Sequence, residues 1–357
     1  MSPVTNLRTL AEMAGVSHVT VSRALKNERW VSESTRQRIM EVVRRTGYRP
    51  NPLVSAAMAQ RRSATRLACS TTIAYLNCHT NHALWRSSPS QSRFFEGARA
   101  RAEELGFALE EFRLCERGMT PKRMERVLKS RAIAGLIVGS FQCAHAHLSL
   151  DWNLFAPVAQ GFSLVKPLLS RAANHYMQSM EVGLRALRRL GYRRIGLAIS
   201  AEIEARCQHG FSAGLAIYHQ QTAAADIIPM LNSDLKDPEV LKRWYAKYRP
   251  QAILTPHLTA LESLEEIGLR VPADVALAHT DWHPTYEGWA GINHRVENAG
   301  RAATDVVVSQ LFTNQRGLPS APITVLTRGE WVSGASVRKI DVPAPLPRLA
   351  RSVTVKE

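Results

Sequence analysis

The chain has 357 residues, 45% of them hydrophobic, and 46 Lys and Arg against 30 Asp and Glu give a formal net charge of +16. That length exceeds one small domain and can bury a sizeable core, and no apolar run approaches the roughly 20 residues that span a bilayer. The opening MSPVTNLRTL lacks the apolar stretch of an export signal, so a cytoplasmic protein with no membrane partner is expected.

The first stretch, Leu7 to Tyr48, reads as three short helices. Leu7, Leu10, Ala11 and Ala14 fall at helical spacing, and Gly15-Val16-Ser17 predicts a tight turn. Ser17 is placed to cap a second helix, HVTVSRAL, with Val21 and Leu25 on one inward face. Ser32 is placed to cap a third, with Ile39, Val42 and Val43 inward and Gly47 ending it. A sharp turn between the first two helices makes a helix-turn-helix, whose second helix enters the DNA major groove.

A generic three-helix bundle with a solvated basic face is the alternative. Charge decides against it: residues 1–66 hold twelve Lys and Arg and four Asp and Glu, so +8 of the +16 sits in under a fifth of the chain. Such density favours counterion release from phosphates. On the second helix, Arg23 suits a bidentate pair with guanine, worth about 1–3 kcal/mol of discrimination. Val19 suits a thymine methyl, and His18 donates or accepts according to its protonation. Ser17, Thr20 and Ser22 suit phosphates or caps, with capping at least as good a reading for Ser17. Asn27, Tyr48 and Asn51 complete the candidate DNA contacts.

NLRTLAEMAGVSHVTVSRAL, VSESTRQRI and GYRPN together resemble the DNA-binding head of the lac-repressor (LacI/GalR) family. The AGVS-x-x-TVSR core followed by VS-x-x-TR and GYRPN is a specific pattern. The resemblance implies a dimeric transcriptional regulator whose core is like the periplasmic sugar-binding proteins. It also implies a hinge helix that inserts leucines into the minor groove. Pro50 and Pro52 are expected to stop the third helix, and Leu53 to Arg62 reads as a short helix, marginal alone. Ala57 stands at the leucine position and is too small to wedge a base step, whereas Met58 beside it has the size.

From residue 71 strands and helices alternate, which argues for parallel, doubly wound sheets. STTIAYLN, ALEEFRL and GLIVGSF read as strands, separated by the helices RFFEGARARAEELGF and TPKRMERVLKSRAI. A second set runs from the helix EVGLRALRRLGY through strand RRIGLAIS, helix EARCQHGFSAGLAIYHQ, strand QAILTP and helix TALESLEEIG to strand DVALAHT. The fold class is thus α + α/β, a helix-turn-helix head before a two-subdomain, periplasmic-binding-protein-like core. The expected boundaries are a head at 1–49 and a hinge helix and linker at 50–68. A first subdomain follows at 69–168 with 296–320, a second at 169–295 with 321–340, and a disordered Pro-rich tail at 341–357.

Ligands in such sheets bind beyond the carboxyl ends of the strands. FFEGARARAEELGF, AGLIVGS, LGYRRIGLAIS, GLRVPADVALAHTD and VENAGRAA resemble the family's core landmarks. The resemblance gives Asp281 and Arg206 the places of ligand-contacting residues, and an Arg opposite an Asp suits a polyhydroxylated ligand. An ordinary structural Arg–Asp pair is the alternative. Pro256-His257 stands where many members carry Asn-Asp, Trp282 replaces a second Asp, and His294 sits where Gln is common. Trp85, in the loop after the first core strand, is expected to add a ring.

The five cysteines (Cys69, Cys78, Cys115, Cys143, Cys207) form no C-x-x-C pair, so neither a disulfide framework nor a zinc site is expected, only buried thiols. His145-x-His147 has no carboxylate or cysteine at ligand spacing. Ser212 in GFSAG falls inside a predicted helix, where a nucleophile elbow needs a strand-turn-helix. The reading is a non-enzymatic regulator without metal or cofactor, a homodimer on a near-palindromic operator, and a repressor of carbohydrate-utilisation genes answering a sugar or sugar derivative. Rival readings are a purine-type co-repressor-dependent regulator and a sugar-binding receptor outside transcription.

Overall fold

The computed structural model describes residues 7–25, 31–46 and 72–340, in two units that divide between Thr65 and Arg66. Expectations for Asn27, Tyr48, Asn51, Ala57, Met58, Cys69, the hinge and the tail lie outside the described residues.

In the first unit the helices α1 (Leu7–Ala14), α2 (His18–Leu25) and α3 (Glu33–Thr46) form where periodicity and caps place them. Ser17 Oγ accepts from the Thr20 amide at 3.1 Å, and Ser32 Oγ accepts from the Thr35 amide at 3.4 Å. Each satisfies an amide that the start of a helix leaves unpaired. Gly15 adopts φ +62°, the left-handed conformation that the turn requires. Leu10, Val21 and Ile39 are sealed in the centre, with Ala11, Ala14, Ala24, Val31 and Val42 around them.

The second unit holds two six-stranded sheets. The first has the order β13-β7-β5-β3-β1-β2, built from β1 (Thr72–Asn77), β2 (Ala108–Arg113), β3 (Gly135–Val138), β5 (Ala156–Gln160), β7 (Arg171–Asn174) and β13 (Thr324–Thr327). The second has the order β14-β12-β11-β10-β8-β9, built from β8 (Ile195–Ile199), β9 (Leu231–Asn232), β10 (Ala252–Thr255), β11 (Ala276–His279), β12 (Ala290–Asn293) and β14 (Glu330–Val332). A small pair, β4 (Ala146–His147) and β6 (Leu164–Lys166), lies apart. All pairings are parallel except β12 with β14. The central strands are buried along their length, which is why they read as continuous apolar runs.

The chain passes between the halves three times, after β7, after β12 and after β13. This corrects the expected boundaries: residues 171–174 and 324–327 belong to the first sheet, whereas the sequence reading gave both to the second subdomain. Strand partners are chosen across long separations, and no local signal marked this exchange.

The helices Pro89–Glu104 and Val296–Phe312 cross at two glycines. A Cβ on Gly97 would lie 2.1 Å from Glu297 O, and one on Gly300 would lie 2.1 Å from Phe94 O. The resulting close approach brings Phe94, Ala98, Ala299 and Ala303 into one core against β1. A further correction concerns the predicted helix 204–220. It is two helices, Ala201–Arg206 and Gly210–Gln220, with Gln208 and His209 at φ +52° and +56° between them. Gly210, which opens the second helix, lies against the Tyr176 side chain, 2.7 Å from where a Cβ would stand. The Ser212 amide donates to both oxygens of buried Glu204 at 3.3 Å, which serves the start of the second helix. Among the described residues no helix is long and apolar enough to cross a membrane.

Candidate functional site

Each unit holds one candidate site. In the head, Ser17, His18, Val19 and Arg23 are exposed along α2, and Thr20 is half-buried. Val19 is 44% exposed, which leaves its methyls open to an apolar contact such as a thymine methyl. The Ser17 hydroxyl is engaged in capping, so its part is to position the helix. Ser22 lies in α2, and α3 adds exposed Arg38, Arg44 and Arg45.

In the core, a groove of about 590 Å³ opens at the carboxyl ends of β8, β9 and β10. Ser200, Glu202 and Arg206 come from the segment after β8, Asn232, Asp234 and Lys236 from β9 and beyond, and Pro256, His257 and Thr259 from the turn after β10. Two expected effector residues, Arg206 and His257, therefore share one groove. The helix break at residues 207–209 makes this possible, since Arg206 ends its short helix at the groove.

Polar groups here are not all self-satisfied. Arg206 Nε and His257 Nε2 are buried with no hydrogen-bond partner among the described residues, and so are both ring nitrogens of His79, on the loop after β1. Burial and then the Arg206 charge hold the His79 imidazole below its ordinary range, which puts these residues of the two halves in electrostatic contact. Burial likewise lowers His257, against the pull of Asp234. Asp234 itself pairs with Lys236 at 2.8 Å, which holds its carboxyl below the usual range.

Asp281 stands beside the groove. Its carboxylate accepts a short hydrogen bond from Ser90 Oγ, at the start of the helix Pro89–Glu104 in the first half. Its amide donates to His279 Nδ1 at 3.1 Å. Burial drives His279 down to about 4, so the ring stays neutral and accepts. Tyr286 lines the groove and packs on His279 with ring centroids 4.9 Å apart.

The other expected effector residues sit elsewhere. Trp85, expected on a binding loop, is 2% exposed in the helix His82–Ser87 and packs against Tyr75, Phe95 and His82. Its neighbour Leu84 faces solvent instead, because the Asn81 cap sets the helix with Trp85 inward. Trp282 donates its indole N–H to Trp289 O at 2.9 Å, and its Cβ packs over Gly291. His294 is 2% exposed, its Nδ1 3.1 Å from Ser179 Oγ and its ring edge-on to Tyr176. It lies where the chain crosses between halves, outside the groove lining. The sequence reading missed His79, Asp234, Lys236 and Tyr286. The usable signal was position, since His79, Asp234 and Lys236 each follow a strand's carboxyl end closely.

Cysteine placement also departs in part from expectation. Cys78 and Cys207 are buried free thiols, whereas Cys115 and Cys143 are exposed ones, in loops that follow β2 and β3.

Comparison with known proteins agrees with this architecture. The model of bacterial regulatory proteins of the lacI family matches residues 6–51, and that of the periplasmic binding protein-like domain matches residues 184–337. The regulator DegA of Bacillus subtilis is 28% identical over 171 residues, 46% of this chain and 45% of DegA. The regulator AglR of Rhizobium meliloti is 49% identical over 63 residues, 18% of this chain and 15% of AglR. These two matches thus span less than half of either relative. The regulator PtxS of Pseudomonas putida is 25% identical over 317 residues, 85% of this chain and 88% of PtxS. Among solved structures, the regulator CelR in complex with cellobiose has a TM-score of 0.58 at 18% identity, covering 93% of this chain and 100% of that one. The lac repressor dimer bound to operator and the anti-inducer ONPF has a TM-score of 0.55 at 18% identity, covering 94% and 99%. This chain thus carries a head matching the lacI family of bacterial regulatory proteins, joined to a periplasmic binding protein-like core.

Proposed function

We propose that the protein is a ligand-responsive, sequence-specific transcriptional regulator, acting in the cytoplasm as a homodimer on a near-palindromic operator. Its role is to repress carbohydrate-utilisation genes until a sugar or sugar derivative occupies the core groove. The observation that carries this is the groove itself, where Arg206 and His257 present buried, unpartnered nitrogens in a chain whose head exposes His18, Val19 and Arg23. The match of the head to the lacI-family model and the cellobiose bound by CelR support the same reading.

The mechanism is a coupling between two sites. Effector in the groove favours one arrangement of the core halves, and the two arrangements hold the paired heads differently. Only a difference in effector affinity between the arrangements drives the shift. The test selects an operator from random DNA with the full chain, then screens sugars by thermal shift, since a ligand of the native state raises its melting temperature. A hit that weakens operator binding is an inducer, and one that strengthens it is a co-repressor. No change in operator binding with any ligand that stabilises the core contradicts the proposal.

A further inference from the structure

We infer that Cys115 and Cys143 form a reversible disulfide across the carboxyl end of β1 when the protein meets a peroxide, and that this bridge clamps the loop bearing His79. The sheet places β1 between β2 and β3, with neighbouring strands about 4.8 Å apart. Cys78 directly follows β1, and Cys115 and Cys143 sit in the loops after β2 and β3. The ends of β1 and β2 are level, Asn77 opposite Arg113, and the Leu114 amide donates to Asn77 O at 2.9 Å. Cys115 then turns towards β1, where its thiol donates to Cys78 O at 3.4 Å. From the other side Gln142 reaches the same loop. Its Oε1 accepts from Thr80 Oγ1 at 2.7 Å and from the Thr80 amide at 3.4 Å. Its neighbour Cys143 is thereby brought to the end of β1 from the side opposite Cys115.

The three thiols act on one another in the order of their strands. Burial and then Cys115 raise the Cys78 thiol, and burial and then Cys143 raise that of Cys115. Cys115 and Cys143 are exposed and free, whereas Cys78 is buried, its thiol donating to Leu76 O at 3.3 Å. Cys78 is thus shielded from an oxidant. With the Cys115 thiolate disfavoured, the sulfur of Cys143 takes the oxidant. It attacks one peroxide oxygen and the O–O bond breaks. The departing hydroxide takes the thiol's proton and leaves as water, and Cys143 becomes a sulfenic acid. The Cys115 sulfur then attacks that sulfur, the S–O bond breaks, a second water leaves and the S–S bond forms. Two thiols give up two electrons, and one peroxide is reduced to two waters. Outside oxidising compartments such bridges are transient and redox-sensing. This one would span Cys78 to Thr80 and fix His79, whose imidazole feels the Arg206 charge of the second half.

The test treats reduced full-length protein with hydrogen peroxide, blocks remaining thiols with a maleimide, and maps the digest by mass spectrometry. The expected product is a Cys115–Cys143 peptide pair within one chain, which dithiothreitol reverses. Cys115→Ser and Cys143→Ser should each abolish it, and Cys78→Ala should keep it. Gln142→Ala, which frees the Cys143 loop from Thr80, should slow the cross-link roughly threefold with the melting transition intact. Hydrogen exchange at the amides of Cys78, His79 and Thr80 should slow on oxidation and recover on reduction. Several results would overturn the disulfide: Cys143 oxidised to a sulfinic acid with Cys115 still free, a bridge from either residue to Cys69, Cys78 or a second molecule, or a link that forms only in denaturant. An unchanged rate in Gln142→Ala would overturn the delivery of Cys143 by that loop. A correct link that leaves hydrogen exchange unchanged would overturn the clamp on His79.

Discussion

The two halves of the core share a strand order, with one antiparallel edge pair in the second, and fill their strand ends differently. In the first half, Tyr75 OH donates to Gln160 Oε1 at 2.7 Å, Gln160 Nε2 donates to Gln91 Oε1 at 3.0 Å, and Ser140 Oγ donates to the same Gln91 oxygen at 3.0 Å. Trp85 and His82 stack beside them, and His82 pairs with Glu111 at 2.9 Å. These polar groups answer one another, although both ring nitrogens of His79 in this half are buried without partners among the described residues. In the second half the equivalent edge is open, and Arg206 and His257 keep buried nitrogens without partners. Satisfied buried networks rigidify, whereas unsatisfied ones are costly until something binds. On the proposed function, the groove of the second half seats the ligand. The first half is a wall that reaches over it through His79 and Ser90.

The strongest way to break this comparison is Trp85→Ala. A filled first half loses about 3–5 kcal/mol of stability from such a cavity, read by denaturant unfolding, while ligand affinity of the folded protein changes less than threefold. Unchanged stability with lost affinity would make Trp85 a pocket ring. Next comes Gly300→Ala, which forces a methyl against Phe94 O and should cost roughly 1–3 kcal/mol or more. The same assay checks it, and a neutral result would mean the helix crossing yields freely.

Arg23→Ala separates head from core. It should weaken specific operator binding by about 1–3 kcal/mol and relax one base per half-site, with the core's melting transition unmoved. Unchanged base preference in a selection experiment would remove Arg23 from readout. Asp281→Ala should abolish ligand response and keep operator binding. Ser90→Ala, which removes only the reach across the cleft, should shift ligand affinity by roughly fivefold, about 1 kcal/mol. Lost operator binding in Asp281→Ala would show a structural role instead.

A separate expected effect is one of pH. Burial places the folded His279 at about 4, and also lowers His294. Both lie below the unfolded value of about 6.5, so their neutral forms contribute stability that is full above that value. It is lost as pH falls towards the folded values, by up to about 1.4 kcal/mol per pH unit for each group. Denaturant unfolding between pH 7 and 4.5 should show a shallower pH dependence for His279→Gln than for the parent. Equal slopes contradict the assignment.

How much of this was legible in the sequence depended on whether the cause was local. Ser17, Gly15 and Ser32 set the head's helices through bonds spanning three residues or a single backbone angle, and their spacing showed it. The buried strands were legible as apolar runs for the same reason. The break after Arg206 was not, because it rests on left-handed angles at Gln208 and His209, residue types that carry no such signal, beside a Gly210 that packs on Tyr176, 34 positions earlier in the chain. Trp85 looked like a ligand ring because an aromatic residue in a polar loop carries no sign of which way its helix will turn. His294 stood at a family ligand position, yet the crossing between halves encloses it. His79 drew no notice among polar neighbours, although the rule that ligands gather at carboxyl ends of strands points to it.

The most direct test of a groove coupled to a DNA-binding head is an anisotropy titration of full-length protein on its selected operator, with and without the ligand identified by thermal shift, for the parent and Arg206→Gln. A ligand-dependent shift of at least tenfold in the parent, absent in Arg206→Gln at the same ligand concentration, is the predicted result. Identical operator affinity with and without a ligand that demonstrably fills the groove would contradict the coupling.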